Sequence, residues 1–235
     1  MNRPLVSVVQ LLSLILLVCG VGSSATIVVT GTDTAHGQSN LWLNMDGVDG
    51  QEFFVGQLFI RVTSGASQYN RTAYCVDLFT SISLNTTYNT IVEHPADVVG
   101  RPNQGRVSWL IENYAASVTT AVQGAAFQLA IWDIVHDNGD GFTSGRVRQA
   151  TSHTTPSAVL NQAVTYESLS LGHSSNGAYV YQNSTASGKE AQMLMGPAFN
   201  DGGPKPTPEP STWLMAGSAL TAAWHIRRKR RRYSG

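Results

Sequence analysis

The residues with the most distinctive chemistry in this 235-residue chain are a cysteine and a glutamine. Cys75 lies in the run YCVD, Tyr74 to Asp77, and the other cysteine, Cys19, falls in an apolar N-terminal run. If that run is removed on export, Cys75 is left without an internal disulfide partner. Exported domains ordinarily oxidise their cysteines in pairs, so the odd one calls for an explanation. Gln128 lies in AAFQLAIWDIV. On a helix it shares a face with Gly124, Ala125, Ile131 and Trp132, while Phe127, Leu129, Ile134 and Val135 fill most of the remaining circumference. Such a helix is buried nearly all round, and a primary amide within it must find partners or carry a heavy desolvation cost. Hydrogen bonds to backbone meet that need. So does a chemical route in which a thiolate attacks the side-chain carbonyl, ammonia leaves and a thioester remains. Gln123, in the same helix, is the second candidate acyl partner.

A lone thiol has other uses. It can be a buried small hydrophobe, half of an intermolecular disulfide, or a catalytic nucleophile beside a histidine. His94, His136, His153 and His173 are available for the last role, but Cys75 lies in a strand-like run and not at a helix N-terminus, where a thiolate is favoured. DIVHDNGDGF offers Asp133, Asp137 and Asp140 as oxygen ligands. Its spacing does not match an EF-hand loop, and the Asn-Gly-Asp-Gly cluster reads as a turn, which leaves calcium binding near Asp137 and Asp140 open. Asn70, Asn85 and Asn183 stand in glycosylation sequons and indicate polar surface. Neither a zinc ligand set, a glycine-rich phosphate loop nor a paired acid for glycoside hydrolysis stands out. No metal and no cofactor is expected, and the chain is not expected to be an enzyme.

The elements that must position Cys75 and Gln128 differ in kind. Residues 26–99 favour strands: TIVVTG, FFVGQLFIRVTS and RTAYCVDLFTSISL are rich in β-branched and aromatic residues and are broken by Gly, Asn, Asp and Ser. Alternation places Leu58, Ile60 and Val62 on one strand face. The same rule puts Ala73, Cys75, Asp77 and Phe79 on one face and Tyr74, Val76 and Leu78 on the other. Residues 105–168 read as helices, with Thr155 as an N-cap and Pro156 at the first helical position of the last. Residues 175–200 return to strand character. The expectation for residues 26–200 is a single α+β domain, a β-rich sandwich or barrel with a helical insertion, followed by a C-terminal sorting helix.

The two ends carry address labels. Residues 1–25 have an early Arg3, an apolar run from Leu11 to Val18 and small residues Ser23, Ser24 and Ala25, the three parts of a secretory signal peptide. Residues 201–212 form a proline-rich linker, 213–226 an apolar stretch read as a transmembrane helix, and 227–235 a basic tail that stays cytoplasmic. At 14 residues the apolar stretch rises roughly 21 Å, short for a hydrocarbon core of about 30 Å. Six of the 15 Lys and Arg lie in residues 227–232 and one is Arg3, leaving eight against 14 Asp and Glu once Glu209 is set aside. The body is therefore net acidic, which argues against a nucleic-acid partner.

Two resemblances attach to these residues. PEPST, with Pro208, Glu209 and Pro210, followed by an apolar helix and an arginine-rich end, resembles the PEP-CTERM sorting signal of Gram-negative bacteria. That resemblance implies processing by an exosortase, passage through a membrane-held state, and residence at the cell surface or in extracellular biofilm matrix. YCVD and FQLAIW together resemble the paired motifs of the bacterial thioester domain. Carried over by position, the resemblance implies a Cys75–Gln128 cross-link shielded by Tyr74 and Trp132, and covalent adhesion to an amine-bearing ligand. The chain departs from the family at Phe127, where threonine is usual, and in its Gram-negative type of anchor. A noncovalent structural or carbohydrate-binding matrix protein with an inert Cys75 is the alternative.

Overall fold

The computed structural model describes residues 23–98 and 100–198. The leader through residue 22, the linker with Pro208 to Pro210, the apolar stretch and the basic tail lie outside the described residues. Four strands come first: β1 (Ser23–Met45), β2 (Val48–Ser64), β3 (Ser67–Cys75) and β4 (Thr87–Glu93). The insertion follows, with α1 (Gln104–Tyr114), α2 (Ala121–Asp137), the short strand β5 (Val147–Gln149) and α3 (Ser157–Ser170). The chain then returns to the sheet as β6 (Tyr179–Ser184) and β7 (Leu194–Gly196).

Six strands close into an antiparallel barrel in the order β1-β2-β3-β7-β6-β4, with β4 pairing back onto β1. Turn chemistry sets the first hairpins. Asp46 and Gly47, at φ 54° and 87°, form the two-residue connection between Met45 and Val48, the left-handed pair that matches strand twist. β1 is long enough to serve two purposes because it is bulged. Its first residues pair with both β2 and β4 in the barrel wall, and its last three pair with β5. The register breaks between Val29 and Gly31, Thr32 and Gly37, Gln38 and Leu41, and Leu43 and Met45, bending the strand as bulges do. Ser23 to Ala25, assigned by sequence to the leader, are the opening residues of β1 and pair with Val92, Ile91 and Thr90.

The β-rich domain with a helical insertion is thus a closed barrel interrupted between β4 and β6, strands that pair directly across the insertion. Leu58, Ile60 and Val62 are all buried, as their alternation requires, while Phe59 between them is exposed. Three local readings need correction. The strand that carries Cys75 ends there, so the alternation from Ala73 to Phe79 does not continue. Asp77 turns the chain by accepting from the Phe79 amide (2.9 Å) and the Thr80 hydroxyl (2.8 Å), and Phe79 is left exposed. Thr155 does not cap α3: its hydroxyl donates to the Trp42 carbonyl at 2.7 Å, tying the helix entry to β1. The span 105–168 is not wholly helical, because β5 within it adds to the end of β1.

Among the described residues no helix is long and apolar enough to cross a membrane. α2 is instead buried from Gly124 to Val135, packed between the β1–β2 ribbon and α3. It starts where the Thr120 hydroxyl accepts from the Gln123 amide at 3.2 Å and stops at Asn138, in the left-handed conformation at φ 64°. Its close approach to β1 depends on Gly124, since a β-carbon there would overlap the His36 carbonyl. That carbonyl is presented by the β1 kink, where Asp33 accepts from the Ala35 amide (3.1 Å) and the His36 ring (2.6 Å).

Candidate functional site

Cys75 is the last residue of β3, and the neighbouring strands treat its two edges differently. On one side β7 remains, with Cys75 opposite Leu194 and the Val76 amide donating to the Met193 carbonyl at 3.0 Å. On the other side β2 pairs with β3 only as far as Ala73. The Cys75 N–H and C=O are therefore left without a strand partner, buried in the core. Two buried backbone groups in that position require satisfaction.

Gln128 supplies it. The Cys75 N–H donates to Gln128 Oε1 at 2.9 Å, and Gln128 Nε2 donates to the Cys75 carbonyl at 2.7 Å. The side-chain amide thus stands where another strand's peptide would have stood. Gln128 is fully buried in the middle of α2, 53 residues from Cys75 along the chain. A C=O bond is about 1.2 Å long, so the Gln128 acyl carbon lies within about 4 Å of the Cys75 nitrogen. Gln123 is not near this point. Its carbonyl accepts from the Thr119 amide (2.9 Å) and hydroxyl (3.1 Å), completing a cap at the opening of α2.

Tyr74 and Trp132 are both buried. Tyr74 packs on Phe127, with ring centroids 4.9 Å apart, and its hydroxyl accepts from Gln57 Nε2 at 3.1 Å. Phe127 in turn meets Tyr166 of α3 edge-on at 5.0 Å, a continuation of the aromatic wall with no signal in either short motif. Trp132 lies one helical turn beyond Gln128 and meets Phe53 of β2 edge-on at 6.0 Å. Its indole N–H is buried with no acceptor among the described residues.

The environment keeps the Cys75 thiol neutral. Burial, with a smaller contribution from the Asp77 carboxylate, pushes it up to about 12. A cysteine hydrolase needs the reverse, a thiolate favoured by a neighbouring cation or helix N-terminus. Three of the four histidines that sequence offered are held elsewhere, while His136 Nε2 is buried without a hydrogen-bond partner among the described residues. His94 bonds the Asn176 carbonyl at 2.9 Å, His153 stacks on Trp42 and His173 on Trp109, while His136 meets the ring of Phe79.

A second polar cluster forms where α2 ends. One carboxylate oxygen from each of Asp133, Asp137 and Asp140 lies within 4.8 Å of the others. Asp133 is fully buried, Asp137 half-buried and Asp140 exposed. Glu167 of α3, which sequence reading passed over, opposes Asp133 from inside, and burial raises both carboxyls well above the ordinary carboxylate range. No family model matches this sequence, and searches of curated proteins and of solved structures return no match.

Proposed function

We propose that this chain is a surface or extracellular-matrix protein in which Cys75 and Gln128 form an internal thioester that reacts with amines for covalent adhesion. The observation that carries this reading is the reciprocal pair of hydrogen bonds between the Cys75 backbone and the Gln128 amide. Formation attaches Cys75 Sγ to Gln128 Cδ and breaks the bond from Cδ to Nε2, and the thiol proton leaves on ammonia. The tetrahedral oxyanion develops on Oε1, the atom that already accepts from the Cys75 N–H, so that donor stabilises the charge as it grows. Because the thiol is held neutral and an amide is a poor acyl donor, proximity must supply most of the rate. A later amine attacks the same carbon, forms an amide with Gln128 and returns the proton-bearing thiol to Cys75. The cycle runs once per molecule and is not turnover.

The surrounding wall supports the reading. Tyr74, Phe127 and Trp132 keep this region dry, which preserves a thioester against hydrolysis until an amine arrives. The same reading takes residues 1–25 as the export signal and Pro208 to Pro210 as the point of exosortase recognition. The apolar stretch then holds the chain in the membrane before processing, in a Gram-negative envelope.

One observation favours the noncovalent alternative. Both polar atoms of the Gln128 amide are satisfied by Cys75, as they would be if the amide only replaced a missing strand. Exposure to a fluorescent primary amine separates the two. Under the thioester reading the label enters at Gln128 and a thiol becomes free at Cys75, and both Gln128→Ala and Cys75→Ala abolish labelling. Absence of label from the folded, unmodified chain supports the noncovalent matrix protein.

A further inference from the structure

The hydrogen bonds around Cys75 and Gln128 are complete only while Gln128 keeps its amide nitrogen. Nε2 is the donor that satisfies the Cys75 carbonyl, at 2.7 Å. Thioester formation sends that nitrogen away as ammonia, because Sγ takes its place on Cδ and the thiol proton leaves with it. The Cys75 carbonyl then lies buried without its donor, and β2 cannot supply another because it borders β3 only as far as Ala73. A carbonyl left so raises the free energy of the thioester state and hastens its breakdown.

One turn further along α2 stands the complementary defect. Trp132 is 2% exposed, and its indole N–H is buried with no acceptor among the described residues. A buried tryptophan ordinarily finds a partner for that group. Trp132 shares a helix face with Gln128. Long helical side chains lean back over the preceding turn, which carries the indole toward Gln128. Its ring meets Phe53, at 6.0 Å, on the part of β2 that pairs with β1 at Leu41 and has already parted from β3. Trp132 and Gln128 therefore share the wedge that opens between β2 and the end of β3. In the amide state that wedge holds a donor without an acceptor, and in the thioester state it gains an acceptor without a donor.

We propose that the Trp132 N–H takes over the Cys75 carbonyl when ammonia leaves, and so sets the lifetime of the thioester. Resting on the thioester reading, this role goes beyond shielding, since it belongs to one atom of the indole and not to its bulk. The indole keeps its proton throughout: Sγ–Cδ forms, Cδ–Nε2 breaks, and only a hydrogen bond is exchanged. An attacking amine becomes an amide whose N–H stands where Nε2 stood, so the carbonyl regains its first donor and Trp132 is released.

The test uses the full-length chain carrying Trp132→β-(3-benzothienyl)alanine, which keeps the shape of the ring and puts sulfur where the N–H stood. In the cross-linking chain, the mass lighter by one ammonia should decay in ammonium buffer with a half-life shortened about tenfold or more, the effect of an unmade hydrogen bond at a buried carbonyl. In the Cys75→Ala chain, where Gln128 keeps its amide, the same replacement should leave the melting temperature unchanged or raise it, because an unpaired buried donor is removed. An unchanged half-life overturns the proposal. So does a lower melting temperature in the Cys75→Ala chain, which would mean that the N–H already holds a partner there. An unsubstituted chain at full sequence mass ends the thioester reading and the role of Trp132 together. An unsubstituted chain lighter by one ammonia, with an equally long-lived analogue chain, ends the role of Trp132 alone.

Discussion

At the scale of single residues, the contact between Cys75 and Gln128 joins two functions that substitution can separate. The backbone of Cys75, not its side chain, makes both hydrogen bonds to the amide. Cys75→Ala therefore keeps them and should lower stability by only about 1 kcal/mol, through lost packing. Gln128→Ala strands a buried N–H and C=O and opens a cavity, and should lower it by about 2–4 kcal/mol. Denaturant melts of the two variants check this asymmetry. The thiol gives a second test. In a chain unable to form the cross-link, burial holds Cys75 near 12, so its alkylation rate should climb about tenfold per pH unit through pH 10 without levelling near the free-cysteine value of about 8.5. The linked stability effect has a definite sign. The folded value lies above the unfolded one, so the contribution of the buried neutral thiol is intact below the ordinary cysteine range and is lost as pH rises toward 12. The sequence made this pair visible because a lone cysteine and a glutamine inside an all-apolar helix each break a local rule. It did not reveal that the backbone of Cys75 is the amide's partner, because that depends on β2 leaving β3 after Ala73.

At the scale of elements, the position of Gln128 depends on how closely α2 approaches β1. Gly124 lies one turn before Gln128, and a β-carbon there would overlap the His36 carbonyl. Gly124→Ala should cost about 2 kcal/mol or more by pushing the helix outward, since backbone cannot yield as a flexible side chain can. It should also reduce amine labelling in the fraction that remains folded. Melting curves combined with labelling of the folded protein test both effects. Helix identity was legible from apolar spacing in residues 121–137, and the alternation of Leu58, Ile60 and Val62 correctly announced a half-buried strand. Thr155 resembled a cap by position alone, but a carbonyl on β1 competed for its hydroxyl. The end of β3 was misread because Asp77 satisfies local amides, a turn that strand propensity does not weigh.

At the scale of the whole molecule, a closed barrel gives the site its rigidity, and closure is a long-range property that short patterns do not encode. β1 must be bulged four times to border β2, β4 and β5, and the insertion must return the chain so that β6 meets β4. Removal of residues 1–25 leaves Thr26, Ile27 and Val28 still paired with β4, with Ile27 fully buried. A chain beginning at Thr26 should therefore retain the barrel and lose about 1 kcal/mol relative to one beginning at Ser23, with faster amide exchange confined to the end of β4. The most direct measurement of the central claim is the intact mass of the purified, unreacted chain, with Cys75 alkylation under denaturing conditions measured in parallel. The account predicts a mass lower than the sequence requires by one ammonia and a thiol that resists alkylation until an amine has been added. A full sequence mass with a Cys75 that alkylates at once on unfolding would contradict it.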